Sequence, residues 1–88
     1  MAELTIAPEK LVAAAADFEE SGKSLTRVIE SLDLTTTTLK EDWEGASQQL
    51  FYKQYTDIRQ YLQGFAGLLD DISTEMKAMA ERYGNADN

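Results

Sequence analysis

Leu39-Lys40-Glu41-Asp42-Trp43-Glu44-Gly45-Ala46-Ser47 lies at the midpoint of an 88-residue chain, between two stretches of matching hydrophobic rhythm. A bulky aromatic and a glycine separating two equal helical halves read as the bend of a helical hairpin. A Trp-x-Gly triplet is common by chance, so its weight comes from position. Upstream of it Leu11, Ala15, Phe18, Gly22, Leu25, Ile29, Leu32, Thr36, Leu39 and Trp43 recur at alternating intervals of four and three. That spacing is a heptad seam on one helix face. Downstream the rhythm resumes with Phe51, Tyr55, Ile58, Leu62, Phe65, Leu69, Ile72, Met76, Met79 and Tyr83. The expected elements are a helix over 8–42, a bend over 43–45, a helix over 46–83 and a short tail over 84–88. Each helix spans roughly 50 Å at 1.5 Å per residue.

The helix ends carry weaker signals. Residues 1–7 read as an arm whose Leu4 and Ile6 pack onto a neighbour. Pro8 suits the first helical position and Glu9 the positive end of the helix dipole, whereas Ala7 supplies no capping side chain. Lys77 and Arg82 suit the negative end of the second helix, and Gly84-Asn85 is expected to stop it. Thr35-Thr36-Thr37-Thr38 is a β-branched run of low helix propensity. The seam carries the helix through it, with a local kink as the alternative.

Folding the chain at Trp43–Gly45 pairs the seams in antiparallel register. Leu39 meets Phe51, Leu32 meets Ile58, Leu25 meets Phe65, Phe18 meets Ile72 and Leu11 meets Met79. Small residues face large ones, Gly22 opposite Leu69 and Ala15 opposite Met76, as close packing requires.

Composition narrows the function. The chain has no Cys and no His, so disulfides and the usual zinc, haem and iron–sulfur ligand sets are missing, and no cofactor is expected. Its 16 acidic and 8 basic residues give a net charge of −8, which disfavours nucleic acid and anionic membrane surfaces as partners. The first ten residues lack the basic start and long apolar run of a secretory signal, so any export would have to use a route that reads no N-terminal signal. Asp70-Asp71 and Glu19-Glu20 are adjacent on helices, point about 100° apart and converge on no common atom. With no nucleophile–base pair and no phosphate loop, no enzymatic activity is expected.

A chain this short has a thin core and needs a staple or a partner. On the first helix Ala14, Ser21, Ser24, Val28, Ser31 and Thr35 form a small-residue face that admits close approach of another helix. On the second, Leu50, Tyr61 and Leu68 add an apolar stripe beside the main seam. Contiguous apolar patches mark interfaces. Two hairpins closing into a four-helix bundle bury both surfaces. The fold class is therefore all-α, an antiparallel two-helix hairpin that dimerises, with those nine residues as the candidate dimer interface.

Together with Tyr83-x-x-x-Asp87 at the far end, these features resemble the WXG family of small type VII secretion proteins, the early-secreted-antigenic-target-like proteins. The resemblance covers essentially the whole chain. It implies export as a dimer through a membrane-embedded machine whose ATPase recognises the C-terminal motif. Trp43, Gly45, Tyr83 and Asp87 are then the candidate recognition residues, with Trp43 also closing the open end of the bundle. The expected partner is a second copy or a related WXG-type protein, with a homodimer favoured and no stable membrane insertion. In an antiparallel dimer the bend of one protomer adjoins the C-terminus of the other, so the four residues form one composite patch. Gly84-Asn85 implies that the Tyr83–Asp87 turn orders only on binding the ATPase. Two alternatives are a cytoplasmic chaperone escorting a larger toxin and an effector that inserts into membranes after the dimer dissociates.

Overall fold

The computed structural model describes residues 6–86. They form two helices, α1 over Pro8–Asp42 and α2 over Ala46–Ala86, packed antiparallel as a hairpin. Proline opens α1 at its first turn, and Ala7, extended at φ −69° and ψ 140°, adds no side-chain cap. The Ala7 carbonyl instead accepts the Lys10 N–H at 3.0 Å. Leu4 of the expected arm lies outside the described residues.

The four threonines do not kink α1. Thr35, Thr36, Thr37 and Thr38 turn their hydroxyls onto the carbonyls of Ser31, Asp33, Asp33 and Leu34, within the preceding turn. Each β-branched side chain thereby satisfies its own hydroxyl, and the helix continues.

α2 also runs further than its sequence signals imply. It continues through Gly84 and Asn85 to Ala86, beyond the expected stop at Tyr83. Among the glycines only Gly45 has a positive φ, so Gly84 does not make the left-handed turn that ends a helix. A glycine in helical conformation costs about 1 kcal/mol against alanine and need not terminate the helix.

The seam itself differs from the expected one. On α1 the innermost row is Ala15, Gly22, Ile29 and Thr36, all buried, with Leu11 buried near the start. On α2 the innermost row is Tyr52, Arg59, Ala66, Ser73 and Ala80, of which Ser73 and Ala80 are buried. Tyr55, Leu62, Leu69 and Met76 flank that row and are half-buried. Three of the expected α2 seam residues turn outward, leaving Ile58 54%, Phe65 56% and Ile72 41% exposed. Size decides this. A Cβ placed on Gly22 would stand 3.4 Å from the Ala66 carbonyl oxygen and 3.6 Å from the Leu69 Cβ. The backbones are too close for a large side chain between them, so alanine, glycine and serine go in and the large residues flank. Ser73 donates its hydroxyl to the Ala15 carbonyl at 2.8 Å across the seam.

The result is a rod of 65 × 23 × 14 Å, one helix layer thick. Its radius of gyration is 19.6 Å, against about 12 Å for a compact chain of this length. It exposes 6734 Å², where a compact chain of this mass exposes roughly 5,200 Å². The largest fully buried side chain among the described residues is a serine.

Chemical denaturation at fixed protein concentration tests the seam. Gly22→Leu overpacks the closest approach and is expected to cost about 1–3 kcal/mol. Gly67→Ala, where an added Cβ meets nothing within 4 Å, is expected to stabilise by up to ~1 kcal/mol. The reverse order places the small-residue row outside the interface.

Candidate recognition site

The two halves of the expected signal stand at opposite ends of the rod. At the bend, Trp43 leaves α1 with extended backbone, φ −133° and ψ 123°. Its ring packs against Phe51 with centroids 5.2 Å apart, and its indole N–H donates to the Ser47 hydroxyl at 3.1 Å. Gly45 has φ +104°, a conformation that L side chains rarely adopt, and its carbonyl accepts the Gln49 N–H that opens α2. Tyr83, 41% exposed, sits near the end of α2, roughly 55 Å of helix from the bend. Asp87 lies outside the described residues. One chain therefore does not bring Trp43 and Tyr83 together.

The outward-turned residues share one side of the hairpin. In antiparallel right-handed helices, positions one step to the same side of each inner row face the same way. That side carries Phe18, Leu25, Leu32 and Leu39 of α1, then Ala14, Ser21, Val28 and Thr35. From α2 it takes Phe51, Ile58, Phe65 and Ile72, then Tyr61 and Leu68. Val28 is 49%, Leu68 59% and Tyr61 80% exposed. Leu50 is exposed beyond this band, while Ser24 and Ser31, at the same step from the α1 inner row as Tyr61 and Leu68 from the α2 inner row, stand at its outer edge. Ile58, Tyr61, Phe65, Leu68 and Ile72 thus make a second heptad seam that nothing among the described residues fills. The opposite side is polar. Its groove, about 730 Å³, passes over Gly22, Ala66 and Gly67 between Lys23, Arg27, Glu30 and Asp70, and Lys77 reaches Glu19 across it at 3.2 Å.

Between seam and bend lies a polar network that sequence reading passed over. The Asp33 carboxylate accepts Nε and a terminal nitrogen of Arg59, each at 2.8 Å, together with the Tyr55 hydroxyl. The Tyr52 hydroxyl donates to the Thr36 carbonyl, and the Lys40 ammonium lies 5.8 Å above the Tyr52 ring. Neither Asp33 nor Arg59 was singled out from the sequence. The available signal was Arg59 in heptad step with Tyr52, Ala66, Ser73 and Ala80 on what proves to be the inner row.

A family model described as WXG100, proteins of 100 residues with WXG, matches residues 3–88. The chain belongs to the WXG100 family. It is similar to the secreted protein EsxB of Bacillus anthracis, with 32% identity, a TM-score of 0.89 and full coverage of both chains. It also resembles an ESAT-6-like protein of Streptococcus agalactiae, 26% identical over 92% of this chain and 84% of the relative. The type VII secretion system extracellular protein A of Staphylococcus aureus is 21% identical, covering 99% of this chain and 90% of that protein.

In this WXG100 hairpin the Asp33 network is charged under all ordinary conditions. The Arg59 hydrogen bonds, then the Tyr55 hydroxyl, hold the Asp33 carboxyl at about 2, below its usual 3.8. Burial first, then the bond to Asp33, raises the Tyr55 phenol, and Asp33 raises the Arg59 guanidinium. A carboxyl whose pKa is lowered by folding stabilises the fold above its unfolded pKa and loses that contribution as pH falls through the folded one. The Tm difference between the protein and Asp33→Asn is accordingly expected to be constant from pH 7 to 5 and to shrink between pH 4 and 2. A difference undiminished at pH 2 rules out a charge-dependent contribution.

Proposed function

We propose that this WXG100 protein is a small secreted substrate of a type VII secretion system, exported as a homodimer and recognised by the system's membrane-embedded ATPase through a composite surface. WXG100 proteins are secreted structural or substrate proteins rather than enzymes. Among the described residues no helix is long and apolar enough to cross a membrane. Likeness to the extracellular protein A of Staphylococcus aureus supports the route.

The observation that carries the assembly is the second seam. A single hairpin leaves Leu32, Ile58, Phe65, Leu68 and Ile72 wet along one side. The excess surface over a compact chain, on the order of 1,500 Å², exceeds the ~800 Å² that each partner buries in a standard interface. A second copy offers the same stripe and closes a four-helix bundle by two-fold symmetry. Ala14, Ser21, Val28, Thr35, Tyr61 and Leu68 enter that interface, together with the outward half of the expected hairpin seam. Ser24, Ser31 and Leu50 lie at its margin.

An antiparallel dimer places each bend beside the partner's C-terminal turn. Trp43 and Gly45 of one protomer then adjoin Tyr83 and Asp87 of the other. Because α2 is helical to Ala86, the turn after Tyr83 is already formed in the free chain. The ATPase then meets Tyr83 on an existing helical surface.

Export assays test this reading. Tyr83→Ala and Asp87→Ala are expected to abolish appearance in the culture medium while leaving mass and Tm nearly unchanged. Trp43→Ala is expected to block export with a lower Tm, since its ring is also packed on Phe51. Phe65→Glu is expected to yield monomer that stays in the cell, whereas Leu34→Glu, on a 70% exposed residue away from the stripe, is exported normally. Tyr83→Ala protein in the medium at normal levels sinks the assignment.

A further inference from the structure

An unbroken series of contacts joins Asp33 to Trp43. The Tyr55 hydroxyl is held by the Asp33 carboxylate, which Arg59 clamps on its other side. The Tyr55 ring stacks on Phe51, with centroids 6.2 Å apart and planes within 10°. Phe51 in turn packs on Trp43 at 5.2 Å, tilted by 41°. Tyr52 meets Phe51 edge-on at 5.4 Å and fastens itself to the Thr36 carbonyl. Phe51 is therefore gripped from two sides by tyrosines whose hydroxyls are anchored on α1.

Trp43 lies outside both helices, next to a bend whose Gly45 adopts φ +104°. Besides the Phe51 ring, the indole N–H holds the Ser47 hydroxyl in the first turn of α2. The ring's direction is thus set by what packs against it.

We infer that Asp33 is the positioning residue for Trp43, acting through the Tyr55 and Phe51 rings to fix the direction in which the indole is presented. Asp33 is ten residues, about 15 Å of helix, before the bend, and it touches neither Trp43 nor the expected partner face. A hydrogen-bonded polar cluster in place of apolar contact admits one register of the two helices, because any slip leaves its groups unpaired. That fixed register is what reaches the bend. The consequence for export rests on Trp43 being part of the recognised surface; the coupling between Asp33 and Trp43 does not.

The Glu19–Lys77 bridge supplies the comparison, since it also joins α1 to α2 but near the termini. Trp43 is the single tryptophan of the chain, so emission and acrylamide quenching report its ring alone. In the purified full-length protein, Asp33→Asn and Tyr55→Phe are expected to raise the acrylamide quenching constant at least twofold, with far-ultraviolet circular dichroism unchanged. Glu19→Gln is expected to leave it unaltered. Tyr55→Phe keeps the stacked ring and loses only the hydroxyl, so it carries the test if Asp33→Asn folds poorly. Quenching in Tyr55→Phe equal to that in Glu19→Gln overturns the inference. Normal export of Trp43→Ala removes the recognition role of the indole, and the quenching result still decides the positioning.

Discussion

In the half of the hairpin near its termini, where the α1 and α2 backbones lie close together at Gly22, the inner row is built from alanine, glycine and serine. Gly22 lies against the Ala66 carbonyl, and Ser73 bonds to the Ala15 carbonyl. This contact leaves no volume for Phe65 or Ile72, which are pushed to one side of the rod. Short inner side chains and a wet apolar stripe are thus two consequences of one choice. The chain gives up an interior of its own and gains a flat face of large residues. For a molecule 14 Å thick, that face is where, in the proposed dimer, a core forms between two chains.

The bend half is held differently. There the inner row carries Tyr52 and Arg59, and the helices are joined by hydrogen bonds and ring contacts in place of close backbone packing. A paired and partly solvated charge adds little stability compared with buried apolar area, so its value lies in fixing the register. The distinction matters for a secreted WXG100 protein. The terminal half supplies adhesion, while the bend half supplies the geometry in which Trp43 is displayed.

Much of this was legible in the sequence. The alternating four-and-three spacing located both helices and the bend, and Trp43-Glu44-Gly45 fell at the turn. Antiparallel register was legible too, since Gly22 does lie against Leu69. What failed was the assignment of one side of α2. Hydrophobicity ranks Phe65 above Ala66 and Ile72 above Ser73, and a heptad of large residues is the louder pattern. A two-helix seam obeys steric room first, and the quieter heptad of Ala66, Ser73 and Ala80 wins. The stop at Gly84 failed for a related reason: glycine permits a left-handed turn without requiring one. Asp33 and Arg59 were invisible as a pair because their contact spans 26 positions and two helices.

In the proposed assembly this hairpin has no complete core until a second copy covers its apolar stripe. Sedimentation velocity of the unmodified protein, diluted from high to low micromolar concentration with helicity followed in parallel, tests it most directly. A species of twice the chain mass is expected, its dissociation on dilution accompanied by loss of helix. A monomer that keeps full helicity at micromolar concentration contradicts it, because the stripe of Leu32, Ile58, Phe65 and Ile72 then needs no cover.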